Sequence, residues 1–138
     1  AAAYRRYSLA SMRAVLDALA ADPATRAVPS IVFTKGGGGW LDEIAACGAA
    51  GVGLDWTVDL AQARARVGAR VALQGNLDPL VLLTDPQTVA REAIAVVEAA
   101  GSAPGHIFNL GHGIVPRTPP DNVAALVEAV HRASRRPR

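Results

Sequence analysis

The chain has 138 residues, of which 51% are hydrophobic and 19% are charged, so it is long enough and apolar enough for one domain with its own core. This composition excludes extended disorder, and no apolar run approaches the roughly 18 residues that a membrane span needs. A single cysteine, Cys47, excludes an internal disulfide framework and a multi-cysteine metal cluster. We therefore expect a reduced, cytoplasmic protein without a signal peptide.

The formal net charge of +2 comes from the end of the chain. Residues 132–138 hold four of the fourteen basic residues and no acidic residue, and we interpret them as a solvated basic tail. The other residues carry ten basic against twelve acidic groups, which does not favour nucleic-acid binding. The chain also starts without a methionine, and its only one, Met12, lies in a helical pattern. We expect residues 1–138 to be a piece of a longer protein.

Helical and extended patterns alternate along the first half of the chain. The first predicted helix ends at Asp22-Pro23 and has an apolar stripe of Leu9, Met12, Leu16 and Leu19. The elements predicted after it are a strand at 29–35, a glycine turn at 36–39, a helix at 40–47, a strand at 51–56 and a helix at 59–67. Gly48 and Gly68 are predicted to cap the two short helices.

The second half continues the alternation. The predicted elements are a strand at 71–74, an apolar insertion at 80–83, a helix from Asp85-Pro86 to Gly101, a strand at 106–110 and a last helix after Pro120. The last helix has an apolar stripe of Val123, Leu126, Val127 and Val130. Strands that alternate with helices predict a parallel α/β sheet. It is either a small open, doubly wound sheet or the C-terminal half of a TIM (β/α)8 barrel, and the missing start favours the half-barrel.

Polar residues follow each of the four predicted strands. The groups begin at Lys35, Asp55, Gln74 and Asn109 respectively. Because the carboxyl ends of parallel strands meet at one rim, where α/β folds place their active sites, we expect a ligand site there.

Most of these rim residues have two interpretations. The glycines at 36–39 could cradle a phosphate, but they lack the spacing of a nucleotide-binding motif and fit a tight turn better. Asp55 could act in acid–base chemistry or cap the turn that follows it. Gln74 and Asn76 could line the mouth of a site or satisfy turn amides. Both interpretations stay open for these three side chains.

His112 is the strongest single candidate. It lies between Gly111 and Gly113 in a polar loop directly after an apolar strand, which leaves the imidazole uncrowded for a ligand. His106 and His131 lie at the start of a strand and the end of a helix, and we interpret both as structural. Cys47 lies in an alanine-rich helix turn and is predicted to be a small buried hydrophobic residue.

Five segments together resemble the uroporphyrinogen decarboxylase family. They are FTKGGGGWL at 33–41, GLDWT at 53–57, LQGNLDP at 73–79, FNLGHGI at 108–114 and PPDNVAALVEAVH at 119–131. Each alone is weak, whereas the combination in this order is specific. The resemblance covers the C-terminal part of that family, from about Tyr4 onward, so residues 1–138 are expected to be the C-terminal part of a single barrel domain.

The resemblance implies a carboxy-lyase of tetrapyrrole and heme biosynthesis that works without cofactor or metal. The family removes carbon dioxide from the four acetate side chains of uroporphyrinogen III to give coproporphyrinogen III. The protonated pyrrole is its own electron sink, and a carboxylate outside this chain balances the developing charge. By position, His112 is implied as a substrate-binding residue. Asn109, Gly111, Gly113, Gln74 and Asp55 are weaker site-lining candidates, and no catalytic residue is expected in this chain.

Two other functions stay open from the sequence. One is a related corrinoid or methionine-synthase-like methyltransferase, although zinc in such a site needs thiolate ligands on the rim and Cys47 is in a helix. The other is an open-sheet α/β ligand-binding module without catalysis. The resemblance also suggests a homodimer that takes a small-molecule substrate and binds neither nucleic acid nor membrane. The chain by itself is expected to be inactive.

Overall fold

The structure, a computed structural model, describes residues 2–135, so residues 136–138 of the predicted basic tail lie outside the described residues. The strands are β1 (Ile31–Phe33), β2 (Gly51–Gly53), β3 (Ala72–Gln74) and β4 (His106–Ile107). The α-helices are α1 (Ala10–Ala21), α2 (Leu41–Ala45), α3 (Leu60–Val67), α4 (Pro86–Ala100) and α5 (Pro120–Ala133). A π-helical segment at Tyr4–Leu9 leads into α1, and two 3₁₀ segments lie at Gly37–Trp40 and Pro79–Leu83. The predicted alternation of strands and helices is confirmed.

Helix ends follow the local signals in most places. Asp59 and Asp85 cap α3 and α4. The carboxylate of each accepts a hydrogen bond from the main-chain N–H of the residue three positions later in the chain. Gly101 ends α4 with a φ of 73°, which favours glycine. Gly68 is at the C-terminal cap of α3 as predicted, but with a φ of −65° it does not need the left-handed conformation. A glycine is required there for space, because an added Cβ would lie 2.6 Å from a main-chain oxygen of α3. The prediction that Gly48 caps α2 is wrong, because the C-cap is Ala46 and Gly48, with a φ of 101°, lies in the loop two residues later.

The four strands form one parallel sheet in the order β1-β2-β3-β4. Every neighbour in the sheet is also the next strand in the chain, as in a barrel wall. In a doubly wound sheet the order reverses at one point. The register aligns Val32 with Val52 and Leu73, and it aligns Phe33 with Gly53 and Gln74.

Within residues 2–135, helices cover one face of this sheet and leave the other face uncovered. Val52 and Leu73 point to the covered face and are 2% and 0% exposed. Ile31, Phe33 and Ile107 alternate with those positions and are each close to half exposed. A doubly wound sheet buries both faces. The structure therefore has the one-sided sheet of a partial (β/α)8 barrel, and the open-sheet architecture is wrong.

Two predicted details are corrected. The fourth strand is shorter than 106–110, although Leu110 still forms a parallel bridge with Leu77 beyond its end. The buried face of α5 is Asn122, Leu126 and Ala129, while Val127 of the predicted stripe is 47% exposed. Asn122 is buried because its side-chain amide donates to the main-chain oxygens of residues 82 and 84, which turns this face of α5 inward.

Candidate active site at the rim of the sheet

The loops that follow β1 and β2 are tied together by one carboxylate. Asp55 is 1% exposed and accepts hydrogen bonds from the main-chain N–H of Gly36 and from both the N–H and the hydroxyl of Thr57. Burial by itself raises the pKa of Asp55, but the hydrogen bonds from Thr57 and Gly36, together with the charge of Lys35, outweigh it and hold the pKa below its usual value. Asp55 therefore stays ionised and fixes the spacing of the two loops.

The loops after β3 and β4 pack against the same point. The side-chain amide of Asn76, itself buried, donates to the main-chain oxygens of Asp55 and Val58 at 2.9 and 2.7 Å. Gly111 lies so close to the backbone of Asp55 and Trp56 that a Cβ atom there would overlap it. All four strand ends thus meet at one rim whose loops hold one another in place.

A cavity of about 590 Å³ opens between this rim and the uncovered face of the sheet. Its apolar wall includes Phe33, whose ring packs on the backbone of Gly53, where an added Cβ would lie 3.0 Å from Cδ2 of the ring. The remaining lining residues are Ile31, Leu54, Gln74, Asn109, Leu110, His112, Gly113 and Ile114. The cavity therefore combines an apolar wall with a few polar side chains, which is the usual character of a small-molecule site.

His112 is exposed and lies between two aromatic rings. Its imidazole makes edge contacts with the rings of Phe33 and Trp56, with 6.1 Å between ring centres in both cases. Trp56 has a further polar neighbour, because the Nζ of Lys35 lies 4.9 Å from the centre of the indole ring. The imidazole is thus held in orientation by its neighbours while its nitrogens remain available to a ligand.

The structure brings together four of the six predicted site residues. His112, Asn109, Gly113 and Gln74 line the cavity. Gly111 is buried against the backbone of Asp55 and Trp56, and the buried carboxylate of Asp55 is occupied by Gly36 and Thr57. Asp55 makes the contacts of a turn cap, one of its two predicted interpretations.

Sequence reasoning missed the apolar side of the site. Phe33 and Ile114 are about half exposed, at 47% and 52%, and both line the cavity. The alternation of Ile31 and Phe33 on one side of β1 was the available signal. It could not be used from the sequence, because nothing there showed which face of the sheet lacks helices.

The other candidate groups are placed as follows. Cys47 is buried, as predicted, and His106 contacts the main-chain oxygen of Gly75 through Nε2 at 2.8 Å. Among residues 2–135, no three His, Cys, Asp or Glu side chains lie together as a metal-binding group. Each helix in this described part is too short or too polar to cross a membrane.

The sheet is parallel, its strands follow sequence order, helices cover its outer face, and a ligand-sized cavity lies at its carboxyl rim. These features define part of a (β/α)8 barrel of the type found in enzymes. The family model described as uroporphyrinogen decarboxylase (URO-D) matches residues 1–133 of the chain. The chain therefore belongs to the uroporphyrinogen decarboxylase family.

Curated relatives agree along almost the whole chain. The uroporphyrinogen decarboxylase of Azoarcus sp. (strain BH72) is 58% identical over 135 residues, and that of Paraburkholderia phytofirmans is 57% identical over 132 residues. These alignments cover 98% and 96% of this chain but 38% and 36% of the relatives, so the chain spans little more than a third of their length.

One solved structure shows the same fold in a different context. A methyltransferase from Methanosarcina mazei superposes on 94% of this chain and 36% of its own, with a TM-score of 0.75 and 22% sequence identity. At this identity the likeness concerns the fold alone.

Proposed function

We propose that the protein containing this chain is a uroporphyrinogen decarboxylase, which releases carbon dioxide from the four acetate side chains of uroporphyrinogen III and yields coproporphyrinogen III. The observation that carries the proposal is the identity of more than half of all aligned residues with the curated decarboxylases. The cavity supports it, because a macrocycle with carboxylate arms needs an apolar surface beside polar donors.

This chain would supply part of the binding surface. The ring of Phe33 and the side chain of Ile114 offer apolar contact to the pyrrole rings of the macrocycle. His112, exposed at the edge of the same cavity, donates a hydrogen bond to a substrate carboxylate and orients the arm that bears it. Asn109 and Gln74 line the cavity beside it. The groups that balance charge on the protonated pyrrole come from outside these residues.

The reaction is proposed to need no cofactor or metal, since the protonated pyrrole accepts the electron pair that each departing carbon dioxide leaves behind. A proton then adds to the exocyclic methylene carbon and forms the methyl group of the product, and the ring releases the proton that it had taken up. We also propose a homodimer in the cytoplasm, whose ligand is a small molecule and not a nucleic acid or a membrane.

The corrinoid methyltransferase alternative has less support. Its structural basis is the likeness in fold to the methyltransferase described above. A likeness in fold at this sequence identity does not imply the same activity. Cys47, the only thiol of the chain, is buried after α2 and does not line the cavity with His112. A zinc site built on these two residues is therefore not available.

The test is product analysis with the full-length protein under anaerobic conditions. Purified protein is incubated with uroporphyrinogen III, and the products are separated by their number of carboxylates. We expect the intermediates with seven, six and five carboxylates to appear before coproporphyrinogen III. One of the curated relatives, assayed in parallel, is the positive control. If the relative converts the substrate and this protein leaves it intact, the proposal is refuted.

A further inference from the structure

Lys35 is the only lysine of the chain, and it lies in the loop after β1, two residues beyond the end of the strand. Its Nζ lies over the indole of Trp56, 4.9 Å from the ring centre. A cation–π contact of this kind holds an ammonium group in place and leaves its N–H donors for a further partner.

No carboxylate of the described residues forms an ion pair with Lys35. Lys35 interacts with the carboxylate of Asp55 through its charge alone, because the oxygens of Asp55 accept hydrogen bonds from the N–H of Gly36 and from Thr57. The same bonds to Asp55 fix the residues that flank Lys35 and Trp56 in the chain. The ammonium group is therefore held over the ring without an ion pair that would occupy its donors.

Trp56 also contacts the imidazole of His112, with ring planes at 89°. Lys35 and His112 therefore contact the same indole, and His112 also lines the cavity. An exposed amine and an exposed imidazole so arranged can hold two neighbouring anionic arms of one ligand.

We propose that Lys35 binds a second carboxylate of the substrate, beside the carboxylate that His112 holds, and that Trp56 sets the spacing between the two donors. This inference rests on the proposed function, which supplies a ligand with eight carboxylates. The ammonium group has three donors on a flexible stem, which suits a carboxylate on a mobile acetate or propionate arm. Lys35 acts in binding and takes no part in proton transfer.

The experiment compares three variants of the full-length protein with uroporphyrinogen III as the substrate. Lys35→Met removes the charge and keeps the apolar stem, and Lys35→Arg keeps the charge. Arg91→Met removes an exposed cation on α4 that already has an ion-pair partner, Glu92. We expect Lys35→Met to raise KM about 3- to 10-fold with kcat within about 2-fold. Lys35→Arg and Arg91→Met should stay within about 2-fold of wild type in both constants.

Salt provides a second readout, because a charge contact to substrate weakens as ionic strength rises. Added salt should raise the KM of the wild type. The same addition should raise KM by a smaller factor in Lys35→Met and by the wild-type factor in Arg91→Met. A Lys35→Met variant with wild-type KM and wild-type salt dependence overturns the assignment while the proposed function stands. A wild-type protein that releases no carbon dioxide overturns the proposed function itself.

Discussion

Asp55 has its carboxylate buried beneath the rim, between the donors of Gly36 and Thr57. Both of its uses were open from the sequence, since an aspartate after a strand is as common in turns as in active sites. What decides between them is the partner Gly36, which is 19 residues away in the chain and becomes a neighbour only when β1 and β2 pair. A contact of this kind depends on the fold and has no local sequence signal.

Asp55→Asn in the full-length protein should lower the free energy of unfolding by about 1–3 kcal/mol at pH 7, because a donor of Gly36 or Thr57 loses its acceptor. The folded-state pKa lies below the ordinary value of 3.8, so the stabilisation by Asp55 is complete above that pH. It is lost as the pH falls through the folded-state pKa. Urea unfolding at pH 7 and pH 3 should therefore show the difference between wild type and variant shrinking in acid.

Asp59→Asn is the matched control, since Asp59 is exposed and asparagine caps a helix about as well as aspartate. We expect it to change stability by less than about 0.5 kcal/mol. An equal effect of the two substitutions would contradict the anchoring role of Asp55.

His112→Asn tests the proposed contact to substrate in the full-length protein. A lost hydrogen bond to a charged group is worth about 1.5–3 kcal/mol, or roughly a 10- to 150-fold fall in kcat/KM. Turnover should remain measurable, with release of partly decarboxylated intermediates, because His112 orients an arm and does not supply the essential proton. Steady-state assays with product separation measure both effects.

His131→Asn provides the comparison, because His131 is exposed in the last turn of α5. It should leave the kinetics unchanged. Wild-type kinetics for His112→Asn would make His112 structural, and complete inactivity of a well-folded His112→Asn protein would make it an essential catalyst. Either result contradicts the orienting role.

At the scale of elements, the order and type of the helices and strands could be predicted from apolar spacing and from the Gly and Pro signals at their ends. The orientation of α5 could not. A pattern of valines and leucines predicts an apolar stripe through Val127, but Asn122 satisfies two main-chain oxygens of the 3₁₀ segment and brings a different face inward. Buried polar contacts between distant segments have no periodic signature.

Gly111→Ala tests how closely the loop after β4 must approach the loop after β2. A Cβ at Gly111 would overlap the backbone N of Trp56, so the two loops must separate. We expect a loss of about 1–3 kcal/mol in the free energy of unfolding and a higher KM for substrate. Thermal unfolding and steady-state kinetics of the full-length variant are the measurements.

The neighbouring Gly113 gives a control within the same loop. A Cβ there has no atom within 4 Å and meets no unfavourable φ, so Gly113→Ala should change stability by less than about 0.5 kcal/mol. If Gly111→Ala is as mild as Gly113→Ala, the close approach of the two loops does not matter for the fold.

At the scale of the whole molecule, the sheet of residues 2–135 has edge strands at β1 and β4 and one uncovered face. Exposed apolar side chains on that face and at the rim are Ile31, Phe33, Ile107 and Ile114. Both features favour association with other chains.

The 138-residue chain expressed by itself should therefore form soluble aggregates or mixed oligomers and show no decarboxylation. Light scattering after gel filtration measures this, and a monodisperse monomer with a cooperative melting transition would contradict it.

The most direct test of the account is the activity of the full-length protein after treatment with a chelator and exhaustive dialysis. We predict that this protein still converts uroporphyrinogen III to coproporphyrinogen III at the untreated rate, with the intermediates appearing in order of carboxylate number. Activity that is lost on chelation and restored by zinc, or an untreated protein that releases no carbon dioxide from uroporphyrinogen III, would contradict the account.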